Sequence, residues 1–207
     1  MGNQTAAVRG HSRREHRGRY PGGVDIDTAF IPLQTERLQL RRSLPEDAEA
    51  ISSYRSDPQV NRYQGWERTD PEGIREEIEA MAGRSPGEPG GWVQLSVLDR
   101  ESGALVGDVG FSQAEGEPGV VKVGYTVAPA FQGVGYATEA VAAIIAYAFE
   151  RLGAKVVRAY ASAENVPSIR VAEKVGMRLM ERFEHHSDGE TWHGVRYEMR
   201  CEDAATT

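Results

Sequence analysis

Cysteine is almost absent from this sequence. Its 207 residues include one cysteine, Cys201, so no disulfide can form within the chain. Nothing beside Cys201 predicts an activated thiol, and a chain without disulfides is typical of a reducing compartment. We therefore expect a cytoplasmic protein whose cysteine has no chemical role.

Long hydrophobic runs are also missing. The best of them, AVAAIIAYAF at 140–149, is shorter than the roughly 18 residues that a membrane helix needs. The N-terminal segment is charged and polar, which argues against a signal peptide. Because 40% of the residues are hydrophobic and 27% are charged, the composition is that of a globular domain with no membrane partner.

Acidic residues outnumber basic ones except at the N-terminus. The net charge is −7, yet residues 1–24 contain five arginines and one glutamate. An acidic body argues against nucleic acid as the main partner and mildly favours cationic ligands. Since residues 1–24 lack periodicity and end in Pro-Gly-Gly, we interpret 1–30 as a flexible basic arm, 31–202 as one domain and 203–207 as a tail.

Hydrophobic periodicity within the domain predicts an α+β fold. The order is strand, two helices, three strands, helix, strand, helix and two strands. Asp70 and Pro71 predict the start of the second helix, and the short turns between the three middle strands predict antiparallel pairing. We expect a mixed, mostly antiparallel sheet of about seven strands, flanked by about four helices.

Two glycines, Gly133 and Gly135, stand just before an alanine-rich helix predicted at 137–152. A dinucleotide-binding fingerprint would need a third glycine where Thr138 stands, and an acidic residue about 20 positions later is also missing. A glycine loop that opens a helix still exposes N–H groups suited to a pyrophosphate. A packed turn would explain the two glycines equally well.

Two motifs on this part of the chain resemble those of the GCN5-related N-acetyltransferases (GNAT), in particular the branch with the ribosomal-protein alanine acetyltransferases. The pattern Gln/Arg-x-x-Gly-x-Gly/Ala is matched by Gln132, Gly135 and Ala137. The pattern Asn-x-x-Ser followed by Glu-Lys-x-Gly-Phe/Met is matched by Asn165, Ser168, Glu173, Lys174, Gly176 and Met177. The resemblance covers residues 34–200.

This resemblance implies acetyl-CoA as the co-substrate. Backbone N–H groups of the glycine loop would hold the pyrophosphate, and the strand that ends at Val127 would splay from its neighbour and bind the pantetheine arm. Its implied cofactor-binding residues are Tyr125, Thr126, Val127, Gln132, Gly133, Val134, Gly135, Tyr136, Ala137, Thr138, Asn165 and Ser168.

Three of these residues have implied chemical roles. The N–H of Val127 would stabilise the oxyanion, Asn165 would bond the pantetheine or acetyl end, and Ser168 would serve as general acid near the thiol. Asn165 is also a good N-cap for a helix that begins at Val166-Pro167, and Ser168 would then be a polar residue of its first turn.

The general base is the departure from the family pattern. Many relatives carry Glu-x-Gly-Tyr where this chain has Lys122-Val123-Gly124-Tyr125, and a lysine cannot act as a carboxylate base. Asp108 on the preceding strand is our substitute candidate, although an alternating strand could equally direct it to solvent. Gly107 and Gly110 indicate a close backbone approach or a bulge around it.

By the same resemblance, four residues would border an acceptor pocket: Tyr63, Trp66, Trp192 and His193. Packing against neighbouring side chains is the other role that their aromatic rings allow. The adjacent His185 and His186 point to opposite faces of a strand, so we expect no metal site there.

The resemblance therefore predicts an acetyl-CoA-dependent N-acetyltransferase. The acceptor would be a primary amine that attacks directly in a ternary complex: a protein N-terminus, an aminoglycoside-like antibiotic, a polyamine or another small amine. The alternative is a non-catalytic acyl-CoA-binding sensor on the same fold, which Lys122 favours. A homodimer is consistent with the family.

Overall fold

The computed structural model of the protein describes residues 17–19, 25–27, 30, 32–64, 66, 68–187 and 190–204. The strands are β1 (Arg17–Arg19), β2 (Asp25–Asp27), β3 (Leu33–Gln34), β4 (Leu38–Arg42), β5 (Val93–Asp99), β6 (Leu105–Gln113), β7 (Val120–Val127), β8 (Val156–Ser162), β9 (Arg178–Ser187) and β10 (Glu190–Arg200). The helices are α1 (Ala48–Arg55), α2 (Pro58–Asn61), α3 (Pro71–Met81), α4 (Tyr136–Glu150), α5 (Val166–Lys174) and α6 (Cys201–Ala204).

Eight of the strands form one sheet in the order β3-β4-β5-β6-β7-β8-β10-β9. All neighbours pair antiparallel except β7 and β8, which are parallel because α4 lies between them in the chain. The fold is therefore α+β with a mixed, mostly antiparallel sheet, as predicted. β1 and β2 pair with each other in a separate two-stranded sheet.

Helices cover both faces of the large sheet. On one face, α4 and α5 pack over the main core, which includes Val121, Val123, Ile144 and Val157. On the other face, α1 and α3 form a second cluster with Ile51, Tyr54, Ile74 and Ile78. Since side chains alternate along a strand, β7 presents its odd-numbered residues to α4 and its even-numbered residues to the side of α1 and α3.

The start of α3 shows how the sequence sets an element. Asp70 accepts a hydrogen bond from the N–H of Gly73 at 2.8 Å, and Pro71 occupies the first turn. This confirms the predicted cap, which satisfies one of the N–H groups that a helix start leaves unpaired. Ile74 and Ile78, one turn apart, are then buried against α1.

Short elements account for the difference from the predicted number of strands and helices. β3, α2 and α6 have two to four residues each. β1 and β2 lie within the segment interpreted as a flexible arm, and residues 1–16 and 20–24 are outside the described part of the chain. No helix among the described residues has both the length and the apolar character to span a membrane.

Candidate active site

The glycine loop joins the end of β7 to the start of α4. Gly133 has φ of 82° and Gly135, which caps α4, has φ of 94°. Both values lie in the left-handed region that favours glycine. A Cβ at Gly133 would meet nothing within 4 Å, so its requirement is conformational, whereas a Cβ at Gly135 would lie 3.3 Å from Nη2 of Arg37.

This loop presents backbone donors at the positive end of a helix. The N–H of Glu139 donates to the carbonyl of Gly135 at 3.0 Å, and it is the first to follow the α-helical pattern. The N–H groups of the turn before it have no carbonyl one turn behind them. Together with the helix dipole, such a turn suits an anion such as a pyrophosphate.

Arg37, just before β4, fixes the position of this loop. Its backbone N–H and its Nε donate to the carboxylate of Glu139 at 2.9 and 2.8 Å, and its Nη1 donates to the carbonyl of Val134 at 3.0 Å. The guanidinium also lies over the ring of Tyr136 at 4.8 Å. No local sequence pattern predicts this role of Arg37, because its partners are about a hundred residues away.

The parallel pair next to the loop opens into a gap. β7 pairs with β8 only from Val120 to Val123, after which β7 stays with β6 and β8 stays with β10. We call this gap the splay. The N–H of Ala128 donates to the carbonyl of Val106 in β6. Successive residues of a strand direct their backbone N–H and C=O groups to opposite sides, so the even-numbered residues of β7 face β6. Tyr125 and Val127 therefore direct their backbone groups into the splay.

Two side chains border the splay. Nε2 of Gln132 donates to the carbonyl of Val127 at 2.8 Å and so ties the loop to the strand. The hydroxyl of Tyr125 donates to the carbonyl of Ser168 at 2.9 Å and lies 3.1 Å from its Oγ. Burial raises the pKa of Tyr125, and the hydrogen bond with Ser168 opposes that rise.

Asn165 caps α5. Its Oδ1 accepts from the N–H of Ser168 at 3.2 Å, so the capping alternative for Asn165 is confirmed and Ser168 lies in the first turn of the helix. The cap brings Ser168 to Tyr125 across the splay. The predicted cofactor-binding residues of β7, the glycine loop and the start of α5 therefore lie around one opening.

A cavity of about 550 Å³ lies on the α1 and α3 side of β7. Thirteen residues line it: Arg55, Gln64, Trp66, Glu77, Ala80, Met81, Arg84, Trp92, Gln94, Asp108, Gly124, Tyr125 and Thr126. Three of them belong to the segment of β7 that borders the splay. The strand therefore separates the cavity from the side on which α4 and α5 pack.

Asp108 lies at the wall of this cavity and is 4% exposed, which excludes the alternative that it faces solvent. It accepts hydrogen bonds from the hydroxyl of Tyr54 and from Nε2 of Gln94 at 2.6 Å, and Nη2 of Arg55 lies 3.7 Å away. Burial raises the pKa of Asp108, and Arg55 and the two hydrogen bonds oppose this. No sequence motif marks Tyr54, Arg55 or Gln94 as partners of Asp108.

The glycines beside Asp108 have the predicted close contacts. A Cβ at Gly107 would lie 2.2 Å from the carbonyl of Thr126, and one at Gly110 would lie 2.3 Å from Nε1 of Trp92. A register shift between β5 and β6 also occurs here, at Val97 and Leu98. Gly110 thus makes room for an indole ring on the cavity wall.

Of the four residues predicted to border an acceptor pocket, Trp66 lines this cavity and the others do not. Tyr63 packs under the guanidinium of Arg62 at 5.1 Å. Trp192 packs on Phe183 in the hairpin of β9 and β10, with ring centroids 5.7 Å apart, and His193 lies 3.6 Å from Glu184 there. These three residues contact neighbours outside this cavity, and for them a place at an acceptor pocket remains a prediction.

Lys122, the residue at the usual glutamate position, is partly exposed on β7 and is not part of the cavity lining. Among the described residues, no group of three or more His, Cys, Asp or Glu side chains is arranged to hold a metal ion. In the described part of the chain, the titratable residues that line the cavity are Arg55, Glu77, Arg84, Asp108 and Tyr125, with Tyr54 nearby.

Comparison with known proteins gives the family of the chain. The sequence model of the family described as Acetyltransferase (GNAT) domain matches residues 37–178. The chain belongs to the GNAT family. YnaD of Bacillus subtilis (strain 168), an uncharacterized N-acetyltransferase, is 32% identical over 146 residues, which are 70% of this chain and 82% of YnaD. With a GNAT domain and relatives named in this way, the protein is an N-acetyltransferase.

Solved structures share this GNAT fold. An acetyltransferase of the GNAT family from Bacillus anthracis is 28% identical, with a TM-score of 0.74 over 83% of this chain and 99% of that one. RimL, a ribosomal L7/L12 alpha-N-protein acetyltransferase solved in complex with coenzyme A, has a TM-score of 0.70 over 84% of this chain and 99% of its own. At 16% identity, RimL shows the common fold alone.

Proposed function

We propose that this protein transfers the acetyl group of acetyl-CoA to a primary amine in a ternary complex. The splay carries the proposal, because backbone groups of β7 are directed into it beside a helix start that is suited to a diphosphate. Coenzyme A bound to RimL, a protein of the same fold, supports this interpretation.

The residues present fit acetyl-CoA. Positive φ at Gly133 and Gly135 turns the loop without a side chain between its backbone and a ligand. N–H groups from the loop to Thr138 would hold the phosphates, and the backbone groups of Tyr125 together with the N–H of Val127 would hold the pantetheine. When bound, acetyl-CoA would supply the acetyl group: the ammonium form of the acceptor first loses one proton, and the neutral amine nitrogen then bonds to the carbonyl carbon as the carbon–sulfur bond breaks, giving an amide and the free thiol.

Residues of this chain around the splay have the groups that the reaction needs. The N–H of Val127 faces the splay, where it would donate to a developing oxyanion. The hydroxyls of Tyr125 and Ser168, 3.1 Å apart, form a pair from which a proton can be donated to a departing thiolate. We assign the general acid to this pair rather than to Ser168 alone.

The acceptor amine would enter the cavity beside Gly124 and Thr126. Asp108, our candidate for the base, already accepts from Tyr54 and Gln94 with its two oxygens. We therefore propose that Asp108 positions the cavity wall and is not the residue that first receives the proton of the amine. The acceptor is a primary amine, and a protein N-terminus and a small amine both belong to this class.

Cofactor binding tests this proposal first. We expect wild-type protein to bind coenzyme A in a calorimetric titration, and Gly135→Val to lose detectable binding because valine strains a φ of 94° and meets Arg37. Gly103→Val is the matched control, since Gly103 has a φ of 72° in a turn away from the loop. Loss of binding in both variants, or in neither, would contradict the assignment of the loop.

Turnover tests whether the protein transfers the acetyl group to an amine. Release of free thiol from acetyl-CoA is followed with a panel of primary amines, and acetylation of the amine is read by mass. Acetyl transfer to any member supports the enzyme, whereas coenzyme A binding without transfer to any amine supports the acyl-CoA sensor.

A further inference from the structure

The walls of the cavity are mainly apolar and aromatic. Ala80 and Met81 line it from α3, and the indoles of Trp66 and Trp92 line it from the segments before α3 and β5. Trp92 lies over the glycine pair Gly110 and Gly124, since a Cβ at either position would be within 3.3 Å of its ring. Because neither glycine carries a side chain, the indole can lie flat against the sheet.

The second indole is held by a buried cation. The guanidinium of Arg55 lies 4.7 Å from the ring centroid of Trp66, and the Arg55 side chain is 6% exposed. Nη1 of Arg55 lies 3.2 Å from Glu77, whereas its Nε has no hydrogen-bond partner within the described part of the chain. Packing on Trp66 and the ion pair with Glu77 thus both hold Arg55 at the cavity wall.

Two carboxyl groups approach Arg55. Asp108 and Glu77 both lie near its guanidinium. Asp108 is buried, whereas the side chain of Glu77 is 39% exposed and lies on the lining of the cavity. Arg84, which is exposed to solvent, also lines the cavity. Among the described lining residues, Glu77 is therefore the accessible carboxylate that a cation would meet next to the two indoles.

We propose that the acceptor is a small primary amine carried on an aromatic or bulky apolar skeleton, with its ammonium beside Glu77 and its skeleton packed between Trp66 and Trp92. This inference rests on the proposed function and names the class of its acceptor. Among the described lining residues Glu77 is the accessible carboxylate, so the several cationic groups of a polyamine or an aminoglycoside would lack partners there, which is unfavourable. The cavity volume of about 550 Å³ lies within the usual range of small-molecule sites, so a small amine of this class can enter it.

A comparison of amines tests the class. We expect 2-phenylethylamine and tryptamine to have kcat/KM at least about tenfold above that of spermidine, kanamycin or an alanyl pentapeptide, because burial of an aromatic ring separates them. Higher kcat/KM for any of the three polar acceptors overturns the inference. In that case acetyl transfer still takes place, so the proposed function stands; no transfer to any amine removes both.

Variants of Trp66 test the packing. Trp66→Ala is expected to raise KM for 2-phenylethylamine about tenfold and to leave the affinity for coenzyme A unchanged. Trp66→Phe keeps an aromatic ring, so its KM for 2-phenylethylamine should stay close to that of wild type. Tyr160→Ala is the control, because Tyr160 is an exposed aromatic residue on β8 outside the cavity lining. Equal effects of Trp66→Ala and Tyr160→Ala would contradict packing in the cavity.

Glu77 is tested by binding without turnover. Calorimetry with the 2-phenylethylammonium ion and with its neutral analogue 2-phenylethanol separates charge from packing. Glu77→Gln is expected to weaken the binding of the cation about tenfold and to leave the affinity for the alcohol unchanged. Glu79→Gln is the control, because Glu79 is exposed on the same helix and lies outside the lining; it should change neither affinity. An equal loss for both ligands would show that Glu77 has a structural role and would overturn its assignment to the ammonium.

Discussion

The carboxylate of Asp108 joins two elements beneath the cavity. Tyr54 and Arg55 come from α1 and Gln94 from β5, and all three approach the same buried side chain. A carboxylate without such partners would be unfavourable in this position, because burial favours its neutral form. Asp108 therefore stabilises the wall on which an acceptor would rest.

Asp108→Asn removes the charge that faces the buried guanidinium of Arg55. We expect the free energy of unfolding to fall by about 3 kcal/mol, since a buried cation is left with a weaker set of partners. Urea denaturation at neutral pH measures this loss. Asp203→Asn, which affects an exposed pair with Arg178, should change the same quantity by less than about 1 kcal/mol.

Asp47 couples stability to pH. It accepts from Arg41 at 2.6 and 2.8 Å, from the N–H of Leu44 at 2.8 Å and from Ser96 at 2.7 Å. Burial alone would raise its pKa, but the bonds from Arg41, Leu44 and Ser96 outweigh burial and hold the pKa of Asp47 below its ordinary value.

Because its pKa is lowered in the folded state, Asp47 contributes stability above its unfolded pKa, and this stability is lost as the pH falls through the folded pKa. We expect Asp47→Asn to be less stable than wild type at about pH 7 and the difference to shrink below about pH 4. Urea denaturation at the two pH values measures this. A difference that stays constant with pH would contradict the role of this carboxylate.

Single residues were predicted from the sequence where a motif or a departure from one marked them. Asp108 was singled out by its mid-strand position and Trp66 by the family resemblance, and both lie in the cavity. Arg55 and Glu77 were not predicted, because they occupy ordinary positions on α1 and α3. Their proximity depends on how two helices pack, which periodicity does not specify.

At the scale of elements, the start of α4 is held by a segment that lies about a hundred residues earlier in the chain. Arg37 bonds Glu139 inside the helix and Val134 in the loop, and Thr35 donates to the same carboxylate at 2.5 Å. The segment before β4 therefore helps to hold the loop in this conformation. A loop fixed in advance loses less entropy on binding.

Arg37→Gln should weaken coenzyme A binding about three- to tenfold while kcat at saturating substrate stays near that of wild type. The reason is that the loop loses its bonds to Arg37 but keeps its backbone groups. Calorimetry and steady-state kinetics measure the two quantities. Arg68→Gln removes a comparably exposed arginine with ion pairs at the start of α3 and should change neither; an equal effect would show a general loss of stability instead.

Long elements were predicted because each carries a period and a boundary signal, as α3 does with Asp70 and Pro71. β3, α2 and α6 were missed because two to four residues cannot show a period. The splay was expected from the resemblance alone. Periodicity gives each strand but not the residue at which two strands part.

For the whole molecule, hydrophobic periodicity along the chain predicts the succession of strands and helices. The short turns between the middle strands predict that the sheet is mostly antiparallel. The placement of α1 and α3 on one face and of α4 and α5 on the other was not predicted, although it decides which side chains of β7 meet which site. The division into arm, domain and tail remains a prediction, since much of the arm lies outside the described residues.

β7 borders both the splay and the cavity, so a single strand contacts both of the ligands that we propose. Any shift of its backbone on binding one partner alters the surface offered to the other. Thermodynamic linkage then requires reciprocity: if the amine tightens coenzyme A by some factor, coenzyme A tightens the amine by the same factor. Separate titrations of each ligand in the presence of the other would measure this coupling free energy, and with it how rigid the shared strand is.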